Sequence, residues 1–358
     1  MQRGRPQRQR TLRRKDQHEK WCHSTASQGR RLHSACLQMP RGWGIVVIQT
    51  EYRRVRNLES NKRSRPRQIV FKWDNDKPFD VSFLMKDPKA PLPVHTTSLG
   101  ALYSADCLRI LPLIRDEVID TVFADPPFNL GKQYGKRTDD RKPEDRYLAW
   151  CKEWLSECVR VLKPQGSVFV YNLPKWNTLL GAFLATELGV DFRHWIAIEI
   201  SAGLPIPGRL YPSHYSLIYY SKGKPKTFHR IRTPIQQCRH CGKEIKDYGG
   251  HRHAMNPKGV SLKDVWTDIP PVRHWKFKSK SRRANALSTR ILDRVIEMST
   301  DPGDLVLDPF GGSGTTYAVC ENKRRRWIGM EIDFAQEIIE RLEYDHIQPH
   351  GNTDYVER

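Results

Sequence analysis

The 358-residue sequence contains no run of 18 apolar residues, so it lacks the length of hydrophobic segment that a transmembrane helix needs. Its arginine-rich amino terminus is not followed by an apolar segment and a small-residue cleavage site, so we expect no secretory signal. Cysteine is sparse as well, with eight residues that lack the spacing of a disulfide framework. We therefore expect a cytoplasmic protein whose thiols are reduced and mostly buried.

Positive charge is concentrated at the amino terminus. The net charge is +21, and residues 1–67 hold 18 Lys and Arg against 4 Asp and Glu. A basic excess indicates a polyanionic partner, because Lys and Arg displace counterions from phosphates. Residues 1–90 have little hydrophobic periodicity apart from one isolated apolar run at 42–52, and we predict a disordered basic extension. It could be an arm that follows a DNA backbone, a solvated tail, or non-native sequence ahead of a misplaced start codon.

From about residue 91 onward, apolar β-branched segments alternate with helical patterns. This alternation predicts a doubly wound, mainly parallel α/β sheet of the Rossmann-like kind. We divide the domain into a first half at 91–228 and a second half at 274–346. Between them lies a small insert at 229–273, and a tail at 347–358 follows.

A tetrapeptide, Asp125-Pro126-Pro127-Phe128, directly follows an apolar segment at 118–123 and Ala124. Proline ends a strand because it cannot donate to the sheet ladder and because it restricts the residue before it. Asp125 and Phe128 are therefore predicted at the carboxyl end of a strand, where open α/β sheets bind their ligands. The alternative is a proline-rich turn that only ends the strand.

A second apolar segment, at 303–308, runs into the glycine-rich stretch 310–314 and then into a predicted helix. Glycine lets the backbone approach a ligand closely at a helix amino terminus. No lysine follows the glycines, so this is not a phosphate-binding loop of the G-x-x-x-x-G-K type. Glu331 ends the next predicted strand, a position where an acidic residue typically accepts both hydroxyls of a ribose. The pattern predicts a nucleoside site.

Three segments, DPPF at 125–128, DPFGGSGTT at 308–316 and SADC at 104–107, resemble those of the amino-group DNA methyltransferases. The resemblance covers residues 99–344, and the order of the segments is similar to that of the permuted, beta-type members. It implies a class I methyltransferase fold whose target-recognition segment lies between the two halves. It also implies S-adenosylmethionine as the cofactor, double-stranded DNA as the substrate, and adenine N6 or cytosine N4 as the methylated atom.

The resemblance implies a role for each residue of the two motifs. The Asp125 carboxylate and the Pro126 carbonyl would each accept one hydrogen of the target amino group, and the paired prolines would keep that carbonyl rigid. Phe128 would stack on a base rotated out of the duplex. Asp106 would lie at the adenine edge of the cofactor and Glu331 at its ribose. The full set of implied cofactor-binding residues is Asp106, Asp308, Phe310, Gly311, Gly312, Ser313, Gly314, Thr315 and Glu331.

Several alternatives concern the substrate. Adenine N6 is favoured because an aspartate opens the tetrapeptide, and cytosine N4 is the alternative. An RNA base methyltransferase normally has its glycine-rich motif first, and an inactive DNA-binding relative would not need the intact motifs. No Pro-Cys dipeptide occurs, which disfavours ring-carbon methylation by a nucleophilic cysteine. A cognate restriction nuclease is a further expected partner if the protein belongs to a restriction–modification pair, and the nucleoid is its expected location.

The insert contains the C-x-x-C pair Cys238 and Cys241, followed by His251 and His253. A structural zinc knuckle and an unmetallated, basic recognition loop are both consistent with these residues. We predict no metal, because the His-x-His spacing is unlike that of a zinc finger. A basic insert at this place would contact phosphates and base edges, and its small size indicates a short recognition sequence.

Overall fold

The computed structural model describes residues 77–131, 141–200, 210–235, 250–270 and 287–344, with short stretches at 133–134, 138–139, 207–208, 237–238, 240–243 and 355–357 and the strands 32–37 and 46–51. The chain divides into two compact units, Met1–Asn75 and Asp76–Arg358. Within the described ranges, no helix is both long enough and apolar enough to cross a membrane.

The first unit contains a strand pair. Strand β1 (Leu32–Leu37) pairs in antiparallel register with strand β2 (Val46–Glu51). The apolar run at 42–52, which we expected to be isolated, therefore has a strand partner. The segment 32–37, LHSACL, gave no sign of this pairing, because its apolar and polar residues do not alternate.

The second unit follows the predicted alternation of strands and helices. Its first elements are β3 (His95–Thr96), β4 (Gly100–Tyr103), α1 (Cys107–Ile110), β5 (Ile119–Ala124), β6 (Gln133–Tyr134), β7 (Thr138–Asp139), α2 (Glu144–Val161), β8 (Leu162–Asn172), α3 (Pro174–Thr186), β9 (Asp191–Glu199) and β10 (His214–Ser221). They are followed by β11 (Arg230–Thr233), β12 (Val260–Ser261), β13 (Val265–Trp266), α4 (Thr289–Ser299), β14 (Leu305–Asp308), α5 (Thr315–Lys323), β15 (Arg326–Met330), α6 (Ala335–Tyr344) and β16 (Tyr355–Glu357).

The main sheet has nine strands in the order β13-β9-β10-β8-β5-β14-β15-β4-β3. Its five central strands, from β8 to β4, run parallel to one another. Strand β10 is antiparallel to both of its neighbours, and β3 is antiparallel to β4. The mainly parallel α/β fold predicted from the sequence is confirmed. Because the central strands are parallel, their carboxyl ends lie along one edge of the sheet.

Helices cover both faces of the sheet. Helices α1, α2 and α3 pack on one face around residues such as Trp154 and Leu180, whereas α4, α5 and α6 pack on the other around Val295 and Tyr317. Successive strand residues belong to alternate cores, as in β5, where Val122 and Ala124 face one core and Phe123 faces the other. Burial on both faces explains why these strands are continuous apolar runs.

The second unit begins earlier than the boundary at residue 91 that we predicted. Leu84 and Met85 are only 1% and 3% exposed, and both belong to the core beside Ile114. Met85 forms a β-bridge with Ile114, and Arg115 Nε donates to the Met85 carbonyl at 2.8 Å. The correction has a simple cause: burying two large apolar side chains attaches a segment to a domain even where its sequence shows no periodicity.

Candidate active site

The residues of the two predicted motifs lie at the carboxyl ends of neighbouring strands. Asp125 directly follows β5, Asp308 ends β14, and Glu331 directly follows β15. Asp106 comes three residues after β4. Because β5, β14, β15 and β4 are adjacent in that order, one edge of the sheet brings both motifs together. This is the edge at which open α/β sheets bind ligands.

Buried side chains hold the backbone of the DPPF segment by its carbonyl groups. Tyr147 Oη donates to the Pro127 carbonyl at 2.7 Å, and Trp176 Nε1 donates to the Phe128 carbonyl at 2.9 Å. Tyr147 is 1% exposed and Trp176 is 3% exposed. Since proline has no backbone N–H, carbonyl oxygens are the main polar atoms by which this segment can be fixed. Tyr147 lies among the buried residues of α2, where an aromatic side chain by itself indicates only a place in the core.

The Phe128 ring is partly buried among other aromatic rings. Its centroid lies 5.8 Å from that of Tyr171 and 5.6 Å from that of Tyr215. Tyr219 and Tyr220, in the same strand as Tyr215, are core residues. Tyr215 differs from them, because its ring contacts Phe128 at the site. The hydrophobic alternation of β10 does not reveal this contact, since it depends on how β10 lies beside β8.

Two carboxyl groups lie at adjacent strand ends, where Asp308 is buried and Asp125 is half-buried. Burial raises the pKa of Asp125 well above its usual value, and the neighbouring Asp308 carboxylate raises it further. Burial also raises the pKa of Asp308 to about 7, although hydrogen bonds from Thr316 Oγ1 and the Phe310 N–H act in the opposite direction. Two carboxylates in a low-dielectric region repel each other, so this arrangement favours a ligand that carries positive charge.

Glu331 holds the glycine-rich turn. One carboxylate oxygen accepts the Gly312 N–H at 2.7 Å, and the other accepts the N–H groups of Asp333 at 2.9 Å and Phe334 at 3.3 Å. Burial raises the pKa of Glu331, and these N–H donors oppose that increase. An ionised carboxylate offers about four acceptor positions, so with three of them taken by backbone N–H groups Glu331 can accept about one further hydroxyl from a ligand.

Glycine is required where this turn meets β15. A Cβ atom on Gly329 would lie 2.2 Å from the ring of Tyr317, which is fully buried. Tyr317 stacks on Trp327 with centroids 4.7 Å apart, and its hydroxyl donates to the Asp308 carbonyl at 3.1 Å. Gly314, at the start of α5, has a φ of 73°, a left-handed conformation that favours glycine.

Other predicted cofactor residues have structural partners at the same edge. Phe310 packs edge-on against Trp154 of α2 at 5.1 Å. Arg341 Nη1 donates to the Ser313 carbonyl at 2.8 Å and to Thr315 Oγ1 at 2.9 Å. Asp106 caps α1 by accepting the Leu108 N–H at 3.0 Å. These contacts fix the loop and the helix beside it. The cofactor-binding roles of the same residues stay predictions.

The C-x-x-C pair lies in a tight turn. The Cys238 carbonyl accepts the Gly242 N–H at 2.9 Å, and the Cys238 N–H donates to the Lys243 carbonyl at 2.6 Å. Backbone N–H groups of Cys241 and His240 lower the pKa of the Cys238 thiol. In the part of the chain that the structure describes, which omits 244–249, no group of three or more His, Cys, Asp or Glu side chains is arranged to hold a metal ion.

Comparisons with known proteins agree with the geometry. A family model described as DNA methylase, of the N6 and N4 type, matches residues 119–341. The type II methyltransferase M.BamHI of Bacillus amyloliquefaciens is 56% identical over 251 residues, which cover 70% of this chain and 58% of M.BamHI.

Two more distant relatives match a larger share of their own length. The type II methyltransferase M.HpaI of Haemophilus parainfluenzae is 32% identical over 237 residues, covering 65% of this chain and 70% of that protein. The DNA adenine methyltransferase YhdJ of Escherichia coli (strain K12) is 31% identical over 234 residues, covering 64% of this chain and 76% of that protein.

Proposed function

Because the chain belongs to the DNA methylase family of N6 and N4 amino-group methyltransferases, as the sequence predicted, we propose that it transfers a methyl group from S-adenosylmethionine to an exocyclic amino group of double-stranded DNA. One observation carries the proposal. The rigid DPPF segment, at the end of β5, stands beside the glycine-rich turn and Glu331, at the ends of β14 and β15. An acceptor for an amino group thus adjoins a candidate nucleoside site.

The residues at this edge fit the family's cofactor. The buried carboxyl group of Asp308 favours a cation nearby, and S-adenosylmethionine carries a positive sulfonium. Glu331 retains about one acceptor position, suited to a ribose hydroxyl. At the end of β4, Tyr103 Oη is buried with no hydrogen-bond partner among the described residues, so the site also offers an unused polar atom. Phe310 and the glycine-rich backbone would line the cofactor.

The DPPF segment would prepare the target nitrogen. An exocyclic amino group is a weak nucleophile because its lone pair is delocalised into the ring. The Asp125 carboxylate would accept one of its hydrogens and the Pro126 carbonyl the other, which localises that lone pair. Among the described residues no donor reaches the Pro126 carbonyl, whereas the carbonyls of Pro127 and Phe128 have partners. When bound, S-adenosylmethionine supplies the methyl group, and Asp125 is suited to take the proton that the nitrogen then loses.

A base inside a duplex cannot reach this segment, so the target must be rotated out of the stack. Phe128, Tyr171 and Tyr215 form a cluster of rings at the end of β5 and β8, suited to contact the face of such a base. Stacking on an aromatic ring contributes about 1–3 kcal/mol per base.

The insert at 229–273 is the proposed recognition segment. Its end is attached to the main sheet, because β13 pairs with β9 and Trp266 is 2% exposed. Arg294 of α4 donates to both carboxylate oxygens of Asp268, at 2.8 and 2.6 Å. These contacts would anchor the end of the recognition loop to the methyltransferase domain. A cognate restriction nuclease and a location at the nucleoid are the further parts of this proposal.

The proposed function is tested by product identification. Purified protein is incubated with S-adenosylmethionine and mixed-sequence duplex DNA, which is then digested to nucleosides and analysed by mass, with an Asp125→Ala variant beside it. We expect N6-methyladenine or N4-methylcytosine from the wild-type protein only, because both targets present the same amino group. Methylation of RNA alone, or of neither nucleic acid, would contradict the proposal. Sequencing of the methylated duplex then gives the recognition site.

A further inference from the structure

We propose that Tyr147, oriented by Asn172, is a positioning residue for methyl transfer: its hydroxyl fixes the peptide unit after Pro127 and so aligns the Asp125 and Pro126 acceptors with the target amino group. Tyr147 lies on α2 and Asn172 at the end of β8, outside the sequence motifs. The inference rests on the proposed function, because it concerns the rate of the same reaction.

The hydrogen bonds around Tyr147 have a defined direction. Asn172 Oδ1 accepts the Leu173 N–H at 2.7 Å, which assigns the amide so that Nδ2 points to Tyr147 Oη at 3.1 Å. A tyrosine hydroxyl has one hydrogen to donate, and here it accepts from Asn172. Its own hydrogen is therefore directed to the Pro127 carbonyl, 2.7 Å away. Asn172 is fully buried and Tyr147 is 1% exposed, so water does not compete at this chain of bonds.

A second donor holds the next peptide unit. Trp176 Nε1 donates to the Phe128 carbonyl at 2.9 Å, and the Trp176 ring lies 4.7 Å from that of Tyr147. Side chains from two helices, α2 and α3, thus contact each other and hold two consecutive carbonyls. These two bonds go to the carbonyls of Pro127 and Phe128, whereas the acceptors proposed for the substrate are the Asp125 carboxylate and the Pro126 carbonyl.

Proline chemistry explains why two carbonyl bonds suffice. Each proline ring fixes its own φ near −65°, so the main backbone freedom left in this segment is rotation about ψ. A hydrogen bond to the carbonyl oxygen fixes ψ, because that rotation moves the oxygen. The segment then presents its acceptors in one orientation before substrate arrives. Misplacement of a reacting group by about 1 Å can cost about a hundredfold in rate.

The matched pair of variants is Tyr147→Phe and Tyr220→Phe. Tyr220 is 6% exposed, and its hydroxyl also donates to a backbone carbonyl, that of Gly181, at 3.1 Å. Each substitution removes one buried O–H···O=C bond and leaves the ring in place, and Tyr147→Phe also removes the bond that Asn172 Nδ2 donates to the hydroxyl. Only the first of the two O–H···O=C bonds holds the DPPF segment. Both variants should therefore lose thermal stability, Tyr147→Phe more than Tyr220→Phe, and only Tyr147→Phe should slow methyl transfer beyond its loss of stability.

The readout is the single-turnover rate constant of methyl transfer at saturating cofactor and duplex. We expect Tyr147→Phe to lower it at least about tenfold, and Tyr220→Phe to change it less than about twofold. The dissociation constants of S-adenosylhomocysteine and of the duplex should stay within about threefold of the wild-type values for both variants. This division between rate and affinity distinguishes positioning from a loss of folded protein.

Asn172→Asp provides the second test. It replaces the Nδ2 donor by an acceptor, which competes with the Pro127 carbonyl for the hydroxyl hydrogen of Tyr147. We expect the rate constant to fall as for Tyr147→Phe, and the double variant to be no slower than the slower single variant, since both act through one bond. Equal rates for Tyr147→Phe, Tyr220→Phe and an active wild type would overturn the positioning role and leave the proposed function standing. Rate constants that fall only in proportion to the melting temperatures of the variants would also overturn the positioning role. A wild-type protein that forms no methylated base would overturn both.

Discussion

At the end of β5, buried donors hold backbone carbonyls, whereas at the ends of β14 and β15 buried carboxylates hold backbone N–H groups. Tyr147 and Trp176 donate to the DPPF segment, and Asp308 and Glu331 accept from the glycine-rich turn. The residue type of each segment decides whether side-chain donors or side-chain acceptors hold its backbone. Prolines remove N–H groups and leave only carbonyls to hold, while a glycine-rich turn keeps its N–H groups and needs acceptors.

The comparison indicates that the two halves of the site respond to different conditions. Tyrosine, tryptophan and asparagine donors do not titrate near neutral pH, so the support of the DPPF segment is indifferent to protonation. The carboxylates of the glycine-rich half are buried, and burial raises the pKa of Asp308 to about 7. Protonation of Asp308 can therefore alter the cofactor half of the site, whereas the donors that hold the DPPF backbone do not change their protonation.

The largest expected effect comes from Asp125→Ala, which removes a proposed acceptor and none of the donors that hold the segment. We expect methyl transfer to fall at least about a hundredfold, because the amino group loses its charged acceptor. Methylated base formed per enzyme over time is the measurement, and the melting temperature is the control. Activity within tenfold of the wild type would mean that Asp125 does not act on the target.

Gly329→Ala tests the close approach of β15 to Tyr317. Because the new Cβ would lie 2.2 Å from a buried ring, we expect the free energy of unfolding in urea to fall by about 3 kcal/mol. Gly189→Ala is the control, since Gly189 has nothing within 4 Å of the added Cβ and only a positive φ of 63°. Equal losses for the two variants would show that backbone strain, rather than packing, explains the glycine.

The pH dependence of stability should come from Asp308 and from Asp125, because burial raises the pKa of both carboxyl groups. Folding raises the pKa of Asp308 from 3.8 to about 7, so between these values the folded state binds a proton that the unfolded state has released. The free energy of unfolding therefore falls as pH rises through that window, by up to about 1.4 kcal/mol per pH unit. Urea unfolding at pH 5, 6 and 7 should show a flatter dependence in Asp308→Asn, whereas Tyr147→Phe should keep the wild-type slope. A wild-type slope in Asp308→Asn would place the titration elsewhere.

The smallest effect is expected for Tyr317→Phe. Its hydroxyl joins two strand ends by donating to the carbonyls of Asp308 at 3.1 Å and Met330 at 3.5 Å. Losing a buried hydrogen bond while keeping the ring should lower the free energy of unfolding by about 1 kcal/mol. Urea denaturation measures it. A loss as large as that of Gly329→Ala would show that the stacked ring itself shifts when the hydroxyl is removed.

The sheet edge could be predicted from the sequence because its signals are local. Buried parallel strands are continuous apolar runs, and proline or glycine marks the point where each one ends. That was enough to place Asp125, Asp308 and Glu331 at the carboxyl ends of strands. Their position on neighbouring strands followed from the resemblance to a family, and the structure agrees with it.

The supports of the site could not be predicted, because they are tertiary contacts. Tyr147 and Trp176 lie among apolar residues of α2 and α3, where an aromatic side chain indicates core, and no local pattern shows which carbonyl its polar atom reaches. One sequence feature pointed to Asn172: it is a polar residue at the end of the apolar run of β8. Leu84 and Met85 were missed for the same reason, since a three-residue helical turn has no period to detect.

The division of the site into a target half and a cofactor half is tested most directly by the dissociation constant of S-adenosylhomocysteine, measured calorimetrically for the wild type, Asp125→Ala and Glu331→Gln. Glu331→Gln replaces a carboxylate oxygen by an amide and should weaken binding at least about tenfold, equivalent to about 1.4 kcal/mol. Asp125→Ala should leave the constant within about threefold of the wild-type value. Equal weakening by both variants would contradict the division, since the two carboxylates would then serve the same ligand.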